Sequence, residues 1–221
     1  MSTAEIVSRY LAERFPPVVF APLTLLLSVF SALAGRRELD FLAFAQTLLV
    51  VFALLLAFRV WDDFADRGYD RVHHPDRTML RTDGRRAWFL LIALPSIAAV
   101  GTIAATGGAS PRLVVLALTT GVLAAWYRVP QQRRANRLLN AHVVLLKYPA
   151  IVVAAAPGGV GSALHVAAVL AGAAYVGVGI HELVTDREVR NAPHAKLFLA
   201  VDAAVLGAVA LVALSGFARS P

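Results

Sequence analysis

Long apolar segments alternate with short polar connections along the whole chain. A helix that crosses a membrane needs about 20 consecutive, mostly apolar residues, and most of these segments reach that length. The fifth segment also contains Lys147 and Pro149, so it is predicted to be kinked or to face a cavity. The pattern predicts seven spans, over residues 17–35, 41–61, 87–107, 111–127, 138–157, 161–180 and 197–217.

The segment before the first span, residues 2–15, has a different pattern. Ser2 and Glu5 have the spacing of a helix capping box, and Pro16 follows the segment. Its apolar residues recur near one side of a helix, with charged residues elsewhere. The segment is therefore predicted to be a short amphipathic helix that lies on the membrane surface. The residues of its apolar side are Ile6, Tyr10, Leu11 and Phe15.

The composition agrees with a membrane protein. The chain has 221 residues, of which 58% are hydrophobic, and a mean hydropathy of +0.67. These values are too apolar for an ordinary soluble domain, and they predict one membrane-embedded, all-α, multi-pass helical bundle over residues 1–221. The absence of cysteine excludes disulfides and thiolate metal sites. The charges within the first fifteen residues do not fit a cleavable signal peptide.

The net charge of +7 is explained by topology rather than by binding of nucleic acid. Sixteen of the 21 Lys and Arg residues fall at the N-terminus or in the connections after the second, fourth and sixth spans. The positive-inside rule places these segments in the cytoplasm. We therefore expect an integral membrane protein that contacts the lipid bilayer and does not bind nucleic acid.

The connection after the second span is rich in aspartate. Asp62, Asp66 and Asp70 have i, i+4, i+8 spacing, and they share one helix face if the second span continues through them. Like charges at this spacing repel each other, and a divalent cation would relieve that repulsion. Magnesium typically binds one or two carboxylates together with water and phosphate. The alternative is a solvated loop whose acids are neutralised by nearby arginines.

A second acidic pair follows the sixth span. Glu182 and Asp186 again have i, i+4 spacing, at an end of a span that should lie on the same side of the membrane as the first cluster. Two acidic helix ends on one side can converge across a bundle. A diphosphate bridged by magnesium would then be held from both sides.

Both clusters resemble motifs of the UbiA superfamily of intramembrane prenyltransferases. The first family motif, N/D-D-x-x-D-x-x-x-D, is similar to the sequence from Asp62 through Asp70, and Asp63 fits it too. The following N-P-x-R-P motif is similar to residues 74–78, with His for Asn and Thr for the last Pro, and Gly84 lies near the family's glycine. The second motif, D-x-x-x-D, is similar to residues 182–186, with Glu for the first Asp.

The resemblance implies a function and a set of site residues. It implies magnesium-dependent transfer of an isoprenyl group from an isoprenyl diphosphate to a lipophilic acceptor, aromatic or a quinone precursor, in a central cavity with a cytoplasmic acidic site. The implied catalytic residues are Asp62, Asp66, Asp70 and Asp186. Magnesium would be bound by Asp62, Asp66, Asp70, Glu182 and Asp186. The diphosphate would be bound by Arg71, Arg77, Arg128 and Arg187, and Asp63, Tyr127 and Lys147 are candidates for the pocket wall.

Several alternatives stay open at this stage. Lys147 needs a partner inside a membrane, and Asp202 in the seventh segment is one candidate. The family generally has nine membrane helices, so a homo-oligomer, a laterally open pocket or a relative without activity would each accommodate seven. A membrane terpene cyclase could use the same diphosphate site. A cation transporter is a further alternative, although carboxylates clustered at one membrane face favour phosphate chemistry.

Overall fold

All regular elements of the described chain are helices. The computed structural model describes residues 1–35, 40–82, 84–160, 164–185 and 195–217. The predicted all-α class is confirmed for these residues, which contain one isolated bridge, between Gly35 and Val160, as their only strand-like pairing. The helices are α1 (Thr3–Arg14), α2 (Pro17–Ala34), α3 (Phe41–Ala65), α4 (Arg67–His73), α5 (Thr78–Arg81), α6 (Arg85–Ala105), α7 (Ala109–Tyr127), α8 (Pro130–Ala135), α9 (Arg137–Leu145), α10 (Lys147–Ala155), α11 (Leu164–Thr185) and α12 (Ala195–Phe217).

Six stretches of the described chain are long and apolar enough to cross a membrane, which supports a multi-pass membrane protein. The seventh predicted span coincides with α12, which is not one of the six, so the count of seven stays a prediction. The six stretches are Pro17–Ala34, Phe41–Ala65, Arg85–Ala105, Ala109–Tyr127, Leu138–Ala155 and Leu164–Thr185.

The fifth span, which was predicted to be kinked or to face a cavity, is interrupted at Leu146. Leu146 lies between α9 and α10, and its N–H donates to the carbonyl of Val143 at 3.2 Å rather than to the residue four before it. Pro149 has no N–H to continue the helix at this point. The interruption places Lys147, which is buried, at the first position of α10.

The central helix of the bundle is α3, which contacts α2, α6 and α10. The middle of α3 is buried against them, including Val50, Val51 and Leu55. The buried hydroxyl groups of α2 and α3 donate to carbonyls of their own helices. For example, Ser28 donates to the Thr24 carbonyl at 2.7 Å and Thr47 donates to the Ala43 carbonyl at 2.9 Å, so neither hydroxyl is left unpaired in an apolar setting.

The N-terminal helix α1 forms as predicted, with both hydrogen bonds of the Ser2–Glu5 capping box. Its apolar side packs on protein, however, because α1 contacts α5 and α6 and buries Ile6 and Tyr10. The Tyr10 ring meets the Trp88 ring edge-on at 5.3 Å. Another part of the chain therefore covers this apolar side. That the helix lies on the membrane surface stays a prediction.

Two glycine turns pack against each other at the end of the bundle opposite the acidic residues. Gly108 is the N-cap residue of α7 and has φ +70°, and Gly159 has φ +83°. A Cβ on Gly108 would lie 2.5 Å from the carbonyl oxygen of Gly158. Both the positive φ and the close approach therefore require glycine at position 108.

The first prediction concerns this contact. We expect Gly108→Ala to lower the free energy of unfolding by about 1–3 kcal/mol, because it adds a left-handed non-glycine residue and displaces a backbone. Thermal unfolding of the purified protein in one detergent measures the change. Gly101→Ala, inside α6 with no atom within 4 Å of the added Cβ, is the matched control and should leave stability unchanged or slightly raised. Equal melting temperatures for the two variants would contradict the prediction.

Candidate functional site

The first acidic cluster begins inside the membrane helix α3. Because α3 extends to Ala65, Asp62 and Asp63 lie in its last turn. The helix is interrupted at Asp66, where φ is −93° and ψ is 1°, so a continuous helix through Asp70 is not what forms. Backbone hydrogen bonds nevertheless cross the break: Asp66 donates to Asp62 at 3.0 Å and Asp70 donates to Asp66 at 2.9 Å.

A cavity of about 360 Å³ lies at this end of the bundle, which we call the motif end. Carboxylates from both acidic clusters line it, so the two helix ends that the sequence predicts to converge do meet at one cavity. The acidic residues of its described lining are Asp62, Asp63, Asp66 and Glu182, and the basic ones are Arg14, Arg59, Arg133 and Lys147.

Asp62 is bound by two side chains from other helices. The Lys147 ammonium and the Tyr127 hydroxyl both donate to it. Lys147 is only 6% exposed, and a buried charge of this kind is stable only when it is paired. Asp62, rather than Asp202, is therefore the partner of Lys147. The contact joins α3 to α7 and to the interruption between α9 and α10.

Asp63 is bound by the N-terminal helix. Arg14 donates to both carboxylate oxygens, at 3.0 Å from Nε and 2.6 Å from Nη2, and the Tyr10 hydroxyl donates at 2.8 Å. Arg59 adds an ion pair at 3.6 Å. Burial, together with the neighbouring Asp63, raises the pKa of the Tyr10 hydroxyl above its ordinary value, so this hydroxyl stays a donor. Asp63 thus fixes α1 against the end of α3.

Asp66 is the most open aspartate of the cavity. Its side chain is 48% exposed and pairs with Arg133 Nη2 at 2.8 Å. Burial raises the pKa of Asp66 above its usual value, with a contribution from the Asp62 charge, and Arg133 opposes this shift. Arg133 Nε donates in turn to the side-chain Oδ1 of Asn140 at 3.0 Å, and its guanidinium lies over the Tyr127 ring at 4.7 Å.

The remaining predicted residues are placed differently. Asp70 is buried beside Arg77, which donates to it, and neither belongs to the described lining of the cavity. Arg71 and Arg128 are exposed and also lie outside that lining. Asp186 and Arg187 lie outside the residues that the structure describes. The resemblance predicts that Arg71, Arg77 and Arg128 bind the diphosphate, but none of the three lines the cavity.

Several lining residues were not predicted from the sequence. Arg14 follows Tyr10 by four residues, which places both on one side of α1, and Arg59 precedes Asp63 by four on α3. These spacings were usable signals. Arg133 has no such signal, because its contact with Asp66 joins segments that are 67 residues apart in the chain.

The donor set of the cavity suits magnesium in part. Within the described residues, no group of three or more His, Asp or Glu side chains is close enough to hold a metal ion. Magnesium needs only one or two carboxylates when phosphate and water supply its other ligands. Asp66, which is half-exposed, and Glu182 both line the cavity, so they fit that requirement, with Asp62 beside them.

The fold and this site define a multi-pass helical membrane protein with an acidic and basic cavity at one end of the bundle. Comparison with protein-family models, with characterised proteins and with solved structures gave no match to this chain. The assignment to a function therefore depends on the motifs and on the geometry of the cavity.

The second prediction concerns the buried pair. We expect Lys147→Met to lower the free energy of unfolding by about 3–5 kcal/mol, because it leaves the Asp62 carboxylate without a cationic partner. Adding Asp62→Asn should recover most of that loss, since both charges are then gone. Thermal unfolding of the two single variants and the double variant measures this coupling.

Arg81→Gln is the control, because it removes a basic residue from an exposed pair with Asp76, and it should change stability little. Additive losses in the double variant would show that Lys147 and Asp62 do not stabilise each other.

Proposed function

We propose that this protein transfers an isoprenyl group from an isoprenyl diphosphate to a lipophilic acceptor, aromatic or a quinone precursor, inside the membrane. The observation that carries the proposal is the shared cavity: the ends of α3 and α11, which carry the two acidic motifs, contribute Asp62, Asp66 and Glu182 to one space. Four basic side chains line the same space. A diphosphate needs both kinds of group when it binds together with magnesium.

The basic residues would bind the diphosphate itself. Arg133 and Lys147 line the cavity from different helices, α8 and α10, so they can contact different phosphate oxygens. Both are paired with aspartates, which hold the cationic groups in position before a substrate arrives. The carboxylates of Asp66 and Glu182, with Asp62, would hold magnesium, which when bound supplies positive charge against the departing diphosphate.

The reaction begins when the bond between the allylic carbon and the diphosphate oxygen breaks. The electron pair leaves with the oxygen, and the isoprenyl carbon becomes an allylic cation. Arg133 and Lys147 stabilise the negative charge that grows on the leaving group. A carbon of the acceptor then forms the new bond to the cation and loses a proton. A carboxylate of the cavity accepts this proton.

The apolar part of the cavity protects the cation. Phe20, Leu55, Val144 and Leu145 line it beside the charged groups, and such side chains exclude the water that would otherwise quench the cation. A volume of about 360 Å³ lies at the small end of ligand sites. We therefore expect the cavity to hold the diphosphate and the first isoprene unit of the substrate. The rest of the isoprenyl chain would lie outside the cavity, among apolar side chains.

The third prediction tests this function by diphosphate release. Purified protein in lipid is given geranyl, farnesyl or geranylgeranyl diphosphate with magnesium or with a chelator, together with a pool of phenols and quinone precursors. We expect diphosphate release to require magnesium. The rate of release should fall about 100-fold or more in Asp66→Asn, because this variant loses a carboxylate that would hold magnesium.

Asp76→Asn is the matched control: Asp76 is an exposed aspartate that pairs with Arg81 away from the described lining of the cavity, and its loss should leave the rate within about two-fold. Release that proceeds without any acceptor and yields a cyclic hydrocarbon would indicate a terpene cyclase instead. No release and no magnesium-dependent binding of any of the three diphosphates would contradict both.

A further inference from the structure

A second polar cavity, of about 450 Å³, lies at the motif end between α3, α4, α5 and α6. Two arginines, Arg67 and Arg85, and the indole of Trp88 line it. No acidic residue belongs to its described lining. It therefore differs from the acidic cavity, in which carboxylates and basic groups alternate, and it is suited to an anion alone. We call it the arginine cavity.

Two N–H donors at the arginine cavity have no partner in the described chain. Arg67 Nε and Trp88 Nε1 are both buried without a hydrogen bond, and Trp88 as a whole is only 5% exposed. The other side of the Arg67 guanidinium is fixed, because it donates to the Met79 carbonyl at 3.2 Å and lies over the Phe64 ring at 5.3 Å. Buried donors without acceptors are unfavourable, so both groups favour an acceptor that the described chain does not supply.

The arginine cavity adjoins an apolar one. A cavity of about 870 Å³ lies between α3, α6 and α7, and Ile92 lines both. On α6 the shared wall runs through residues 85, 89, 92, 96 and 100, with spacings of three and four that keep one helix face. At 1.5 Å per residue this wall is roughly 22 Å long, more than the roughly 15 Å of one leaflet of hydrocarbon.

The matching wall on α3 runs through Phe64, Trp61, Phe58 and Leu54. These residues also recur at spacings of three and four, so a single face of α3 leads from the arginine cavity into the apolar one. We call the two adjoining cavities the track; it has cationic groups at the motif end and mostly apolar side chains along the rest of its length.

We propose that this track binds an anionic phospholipid. The lipid phosphate would accept from Arg67, Arg85 and Trp88 Nε1, and one acyl chain would lie along the apolar wall between α3 and α6. The charge of the arginine cavity selects an anionic over a zwitterionic headgroup. The track lacks carboxylates to bind magnesium at its headgroup end, so it is not suited to an isoprenyl diphosphate with its metal. The inference is independent of the proposed transferase activity.

Native mass spectrometry of delipidated protein in detergent tests the proposal. The protein is incubated with palmitoyl-oleoyl phosphatidylglycerol or with the phosphatidylcholine of the same chains. We expect at least five-fold more bound phosphatidylglycerol. The double variant Arg67→Gln/Arg85→Gln should bind about ten-fold less phosphatidylglycerol. Trp88→Phe, which keeps a ring but removes the N–H, should bind two- to five-fold less.

Arg86→Gln is the matched control, because Arg86 is exposed, adjacent to Arg85, and outside the described lining of the track. This variant should bind as much phosphatidylglycerol as the unchanged protein. Size-exclusion chromatography checks folding. If the double variant does not fold, Trp88→Phe and the ratio between the two lipids still decide.

Three results would overturn the proposal. The first is equal binding of both lipids. The second is equal phosphatidylglycerol binding by Arg86→Gln and by a folded double variant, or by Trp88→Phe and the unchanged protein. The third is displacement of the lipid by 10 mM inorganic phosphate or by equimolar farnesyl diphosphate, which would assign the arginine cavity to free phosphate or to the prenyl donor. Retention of phosphatidylglycerol under both competitors is expected.

Discussion

The buried ion pair between Lys147 and Asp62 is the interaction on which the rest of the site depends. Neither charge is stable alone at the end of an apolar bundle, so each requires the helix that carries the other. The pair is possible because Pro149 and the interruption at Leu146 place Lys147 at the start of α10, facing the end of α3. Tyr127 adds a donor from α7. Three separate parts of the membrane bundle are thereby fixed around one carboxylate, and the cavity is the space beside it.

Asp63 and Asp66 form similar ion pairs with segments outside the spans. Asp63 binds α1 through Arg14 and Tyr10, and Asp66 binds the segment after α7 through Arg133. Each carboxylate is matched by a basic residue from a different element. A diphosphate would attract Arg133 and Lys147 toward its own oxygens. If the proposed function is correct, the two basic residues then release their aspartates, and the freed carboxylate oxygens can bind the magnesium that arrives with the substrate.

Much of the fold follows from the chain alone, because apolar length and capping are local properties. The approximate positions of six spans, the Ser2–Glu5 box and a kink near Lys147 could be predicted in this way. The partners across the bundle could not. Asp62 and Asp202 were both chemically reasonable partners for Lys147, and only packing decides between them. Amphipathicity predicted α1 correctly, but it cannot distinguish a membrane surface from the α6 surface that covers Ile6 and Tyr10.

The central claim, that the two acidic helix ends hold one diphosphate with its magnesium, is tested most directly by the coupling between the two ligands. Isothermal titration of magnesium into the protein, with and without a non-hydrolysable farnesyl thiodiphosphate, measures it. The account predicts that the analogue raises magnesium affinity at least ten-fold and that magnesium raises analogue affinity by the same factor, as linkage requires. Glu182→Gln and Asp66→Asn should each reduce that factor. Equal magnesium affinity with and without the analogue would contradict the account.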